Sequence, residues 1–260
     1  METMQKVIDT LENNKTLSNE VKKDILYLVG AFYQRFPSVP LEQLCKNLRH
    51  LSIEKGSKFV YTSAINYLPA DNKIFINEQM LTQDDVDPEH SMMKAVLAMI
   101  TQNSIYYGFN NSSNNLEALN VGFCEILANN LVGNEGESQF LDEQILVNYI
   151  GSSIGLDVFQ KAFFENNPEL LMKELLTKCS SPEKLNDLLS QANNNMHTRS
   201  KSGESRLYHI QAQALSIFEV DKSFHFQRAT LQDASTKYVD YEELDALVKE
   251  QMREWTLRGK

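Results

Sequence analysis

Apolar residues along this chain recur mostly three and four positions apart, the spacing of one face of an α-helix. In VKKDILYLVGAFYQRF, Ile25, Leu26, Val29 and Phe32 share such a face, Ser18 stands where a cap is needed, and Pro37 stops the segment. Ser38 and Pro40 then open PLEQLCKNLRHL, in which Leu41, Leu44 and Leu48 repeat at helical spacing. Between about 57 and 77 the period changes. KFVYTSAINYLP and KIFIN are β-branched and aromatic and are separated by PADN, which predicts a β-hairpin.

Helical spacing returns from Asp87 to about Tyr107. A polar loop, GFNNSSNN, follows, and then a helix from about Leu116 to Leu131. Gly133 and Gly136 punctuate the chain before FLDEQILVNYIGSSIG, LDVFQKAFFENN, PELLMKELLTKC and SPEKLNDLLSQANNN, all of which read as helices. The last of these starts with Ser181 as cap and Pro182 in the first turn. NNNMHTRSKSGES reads as a mobile loop, and two helical segments close the chain, the second preceded by Asp240 and Glu243 at capping-box spacing. The pattern predicts a mainly α protein (α+β) with one small β-hairpin in its N-terminal half. No Pro/Gly-rich linker interrupts it, so a single globule over residues 1–260 is expected, with an N-terminal part to about 107 and a helical part from about 115.

The net charge of −10 narrows the partners: such a surface repels phosphate backbones, no basic stripe offsets it, and no nucleic-acid partner is expected. No run of about 18 apolar residues exists to span a bilayer. The start, METMQKVIDTLENNK, has no apolar core of the signal-peptide kind, so the expected setting is the cytoplasm. Cys45, Cys124 and Cys179 are widely spaced among apolar neighbours, as small core residues rather than a disulfide framework.

A water-activating zinc site built on helices needs two histidines one turn apart with a glutamate between them, because positions i and i+4 share a face. None of His50, His90, His197, His209 and His225 has a partner four positions away. Nucleophile elbows, phosphate loops and dinucleotide fingerprints are absent as well.

The order of parts nevertheless resembles a family of bacterial gluzincin-type zinc metallopeptidase domains over roughly residues 15 to 180. The resemblance is carried by the hairpin ending in KIFIN, an apolar helix, a loop containing GF, and then ALNVGFCEILANNLVG. Laid on the family pattern, Met92 and Met93 precede the first histidine position, Lys94 occupies it, Ala95 stands for the general-base glutamate and Ala98 for the second histidine. Leu119, Asn120, Gly122 and Phe123 match the second motif; Val121 replaces an acid, Cys124 a hydroxyl residue, and Glu125 keeps the third-ligand position.

The resemblance implies a zincin-like fold that has lost its zinc and needs no cofactor. It implies an inactive pseudopeptidase whose cleft binds a peptide or protein along an edge strand, Lys73, Ile74, Phe75, Ile76 and Asn77. A Lys94–Glu125 ion pair would then take the place of the metal. Two other readings stand beside it: a divergent metallohydrolase using Glu125 with His209 or His225, and a structural helical interaction protein. Residue by residue, plainer roles compete. Glu125 is equally an ordinary, partly exposed helix acid, Lys94 a snorkelling lysine, and His90 a surface residue at a helix start. Met92, Met93, Met99, Tyr106, Tyr107, Phe163 and Phe164 suit core packing.

Overall fold

The computed structural model describes residues 2–57, 63–83, 86–112, 115–133, 140–198, 203–218 and 241–258. These form a mainly helical protein with a small mixed sheet in the N-terminal half. In chain order come α1 (Glu2–Asn13), α2 (Asn19–Arg35), α3 (Glu42–Leu48), β1 (Ser52–Gly56), β2 (Ile65–Leu68), β3 (Lys73–Asn77), α4 (Glu78–Leu81) and α5 (Pro88–Ile100). There follow α6 (Glu117–Val132), α7 (Leu141–Ile154), α8 (Leu156–Phe164), α9 (Pro168–Lys178), α10 (Pro182–His197), α11 (Gly203–Ile217) and α12 (Tyr241–Arg258). The described residues fall into two compact units. The first holds α1–α5, the sheet and α12; the second is built from Tyr106–Asn130 and α7–α11. The C-terminal helix α12 packs on α2 in the first unit.

In the first unit, α1 buries Met4, Val7, Ile8 and Leu11, and α2 buries Ile25, Leu26, Val29 and Phe32. Ser18 caps α2 as expected, its hydroxyl accepting from Val21 N. Asn14 ties the connection between them to the end of α3. Its Nδ2 donates to the carbonyls of Leu48 and Leu51 at 2.7 and 3.0 Å, while its Oδ1 accepts from Thr16 N at 2.8 Å and Leu17 N at 3.1 Å. Buried at 2 % exposure, this side chain satisfies backbone groups that a loop would otherwise leave open.

The predicted hairpin forms: β2 and β3 pair antiparallel, with Ile65 opposite Ile76 and Leu68 opposite Lys73. Asn72 closes the turn at φ +46, a backbone region asparagine tolerates. A strand the pattern does not announce, β1, adds to the other side of β3 in parallel, from Ser52 opposite Lys73 to Gly56 opposite Asn77. The sheet order is therefore β1-β3-β2, and Lys73–Asn77 is the central strand, not an edge. The reason is visible in its sequence: Ile74, Phe75, Ile76 and Asn77 are all buried, the continuous burial of an inner strand, and both of its ladders are occupied.

Against this sheet lies α5, capped by Asp87, whose Oδ1 accepts from His90 N at 3.1 Å, with Pro88 in the first turn. A polar network closes its far end. Asn47 donates to Met99 O and Asn72 donates to Asn47 O, both at 2.9 Å; Gln102 donates to Pro69 O at 3.0 Å, and the Tyr67 hydroxyl joins Asn72 and Gln102.

The second unit is centred on phenylalanines. Phe109, Phe123, Phe159 and Phe163 are each fully buried, with neighbouring ring centroids 5.6 to 6.4 Å apart. Each such ring contributes about 2–3 kcal/mol by burial. The expected polar loop GFNNSSNN thus begins inside the core. Gly108 is required there: at φ +62 a Cβ would lie 2.3 Å from Asn120 Oδ1 and 2.5 Å from the Phe163 ring. Gly122 lets α6 and α7 approach, since a Cβ there would stand 2.4 Å from the Glu143 carbonyl.

NNNMH, expected in a mobile loop, is helical and ends α10. Asn193 from this run caps α6 across space, accepting from Ala118 N at 2.8 Å, and Asn195 is buried. The Ser181 cap of α10 is as expected. Asp240, Gly136 and His225 lie outside the described residues.

Candidate functional site

The positions singled out by the sequence fall on two helices, one in each unit. From His90 to Ile100, every residue of α5 except Lys94 is buried. From Met92 to Ile100 the helix is apolar apart from Lys94, and such a helix is stable only when covered; His90 and Ser91 beside the cap are buried polar residues. Ala95 and Ala98 are each 3 % exposed, and Lys94 is half-buried. Met92, Met93 and Met99 are core residues, as expected. His90 is 3 % exposed rather than a surface residue, because the turn that Asp87 caps is packed into the unit.

On α6, Glu125 is 0 % exposed and Asn120 1 %, so Glu125 is not the partly exposed helix acid that the plain reading supposes. The helix is apolar on nearly every side, with Leu119, Phe123, Leu127 and Ala128 all fully or almost fully buried, and it carries Glu125 inward with them. Asn120 has an identifiable task. Its Oδ1 accepts from Phe109 N at 3.0 Å and so fixes the turn at Gly108 and Phe109 against the phenylalanine core. Its Nδ2 faces the Tyr107 hydroxyl without closing a full hydrogen bond.

Tyr107, expected as a core residue, is half-buried by exposure, and the α6 polar groups act on its phenol. Burial pushes its phenol far above the usual value near 10; Cys124, Glu117 and Glu125 push the same way, and the Asn120 amide opposes them. A phenol held neutral in this way is a hydrogen-bond donor, not a base or a nucleophile at neutral pH. Glu117 also meets His197 of α10 at 3.0 Å on the surface.

Lys94 belongs to the first unit and Glu125 to the second. His209 on α11 is exposed. Of the cysteines, Cys124 is buried, while Cys45 and Cys179 are half-buried rather than core residues. Among the described residues, no group of three or more His, Cys, Asp or Glu side chains could hold a metal ion. No described helix is long and apolar enough to cross a membrane.

These observations define the class as a mainly helical protein with a three-stranded mixed sheet, β1 parallel and β2 antiparallel to a buried β3. No family model, no curated protein and no solved structure matches the chain.

Proposed function

We propose that the chain is a metallopeptidase-like scaffold without zinc-dependent hydrolysis, retained as a peptide- or protein-binding module. The observation that carries this reading is the chemistry of three α5 positions. Ala95 and Ala98 put methyl groups, each 3 % exposed, where a zinc peptidase needs a proton-accepting carboxylate and an imidazole. A methyl group neither coordinates a metal nor takes a proton from bound water. Lys94, in the third position, carries an ammonium that would repel a cation. Glu125 alone supplies one carboxylate, fewer ligands than any stable zinc site uses. The LNVGFCEIL flank supports the metallopeptidase-like half of the reading, since it keeps Leu119, Asn120, Gly122, Phe123 and Glu125 of the motif though not its acid or hydroxyl residue.

With β3 central, the peptide-binding surface of this reading moves to β1. Among the described residues β1 pairs with β3 alone, so its outer backbone groups are the place where an extended segment would add a strand. Glu54 pairs with Lys73 at 2.9 Å and Lys55 is exposed. Charges on an edge discourage pairing between copies while leaving the backbone available to a partner.

Two measurements test the halves separately. Fluorogenic casein, with and without added zinc, is expected to be cleaved no faster by the wild type than by Glu125→Gln. Turnover abolished by that substitution would sink the inactive half. For the binding half, peptides selected on the chain by display are expected to slow hydrogen exchange at the amides of Ser52–Gly56. Protection elsewhere, with β1 unaffected, would move the binding surface off this edge.

A further inference from the structure

A cleft of 610 Å³ lies between α1 and α3 in the first unit, remote in sequence from the α5 and α6 positions. It is lined by three cations, Lys6, Lys46 and Arg49, against two carboxylates, Asp9 and Glu42. A local excess of positive charge runs against the average of a chain with net charge −10. Of the carboxylates, Asp9 also accepts from Gln5 at 2.9 Å; of the cations, Lys6 is shared with Glu2 at 3.2 Å, which leaves Lys46 and Arg49 as the two principal charges. Among the described residues neither Lys46 nor Arg49 has a carboxylate within ion-pair distance.

The rest of the lining offers little competition. The Thr10 hydroxyl donates to Lys6 O at 2.6 Å and Asn13 Nδ2 to Asp9 O at 2.8 Å, so those polar groups are satisfied within α1. Leu41, 1 % exposed, and the half-buried Cys45 give the floor an apolar strip. An apolar strip flanked by exposed cations suits an organic anion, and the volume falls within the range of about 300–1,000 Å³ typical of small-molecule clefts, far larger than a lone ion needs.

We propose that the α1–α3 cleft binds a small organic anion, its phosphate or carboxylate head held by Arg49 and Lys46 with Lys6 facing them, and its carbon body laid on Leu41 and Cys45. Arg49 is suited to the head group because its planar fork donates two parallel hydrogen bonds to either oxyanion, while the lysines act as point charges. The site lies wholly within the first unit and does not depend on the metallopeptidase-like reading.

The test is a titration of the full ¹⁵N-labelled chain followed by backbone amide shifts at constant ionic strength, with chloride as the reference anion. The probes are AMP, adenosine, inorganic phosphate and succinate. Saturable shifts confined to Thr3–Asn13 and Leu41–Arg49 are expected for at least one anionic probe and not for adenosine; phosphate against succinate tells the two head groups apart. Because Lys46 and Arg49 are exposed, the Lys46→Gln/Arg49→Gln variant is expected to keep its thermal midpoint and to bind the same probe about tenfold or more weakly. No saturable shift with any anion, or binding undiminished in the double variant, would overturn the proposal.

Discussion

Two helices, α5 and α6, are buried to a similar degree and solve burial differently. Past its capped first turn, α5 is apolar throughout apart from half-buried Lys94: methionines, alanines and branched residues face every direction. By contrast α6 takes Asn120 and Glu125 inside with its apolar residues. The difference teaches that a buried polar group persists where the fold gives it a task. On α6 the Asn120 carbonyl oxygen holds the Phe109 amide, and the helix start is itself held by Asn193. Polar contacts hold α5 as well, through Asp87 and Asn47 at its ends, but past the first turn only α6 also takes an amide and a carboxylate inside.

The largest effect that sharpens this contrast comes from pH and acts on both units. Burial raises the phenols of Tyr67 in the first unit and Tyr107 in the second above the usual value near 10. A group whose pKa is raised by folding favours the fold fully below its unfolded pKa, and that contribution is lost as the pH rises past it. Stability is expected to fall above pH 10, by up to about 1.4 kcal/mol per pH unit for each phenol. Tyrosinate absorbance followed during alkaline titration should show these two phenols ionising only as the protein unfolds. Tyr67→Phe and Tyr107→Phe variants identify each contribution.

Next comes Gly122→Ala. The added methyl meets the Glu143 backbone, which cannot swing aside as a side chain can, so a loss of about 3 kcal/mol is expected in urea unfolding. Asn120→Ala should cost about 2 kcal/mol, because the Phe109 amide is left buried without its acceptor. On α5, Ala98→Gly removes one methyl and adds backbone freedom, for about 1 kcal/mol. A loss on α5 as large as that of Asn120→Ala would break the contrast. The smallest effect is His197→Ala: its exposed pair with Glu117 is worth about 0.5 kcal/mol or less by the same unfolding assay.

What the pattern of residues conveys well is local. The caps at Ser18 and Ser181, the hairpin around PADN and the apolar face of α2 all depend on neighbours within a few positions, and each is found. What it conveys poorly depends on distant parts. SIEKG reads as polar and glycine-ended, and becomes β1 only because β3 offers it a ladder. That same pairing turns Lys73–Asn77 from an expected edge into the centre of the sheet. The asparagines of NNNMH fall in both the helical and the loop reading, because such side chains compete with helix hydrogen bonds in isolation; in the fold, Asn193 spends that capacity on α6. At the candidate site, residue types are plain from the sequence, since Ala95 and Ala98 can carry no ligand wherever they lie. Burial is not: neither the complete enclosure of Glu125 nor the gathering of Glu117, Asn120 and Cys124 around Tyr107 follows from spacing alone.

The central claim, that this scaffold has no hydrolytic zinc site, is tested most directly by competitive zinc titration against a chromogenic chelator, on wild type and on Glu125→Gln. The account predicts that neither protein takes up a stoichiometric equivalent of zinc and that both keep the same circular dichroism throughout. One zinc per wild-type chain, lost in Glu125→Gln while the fold is retained, would contradict it.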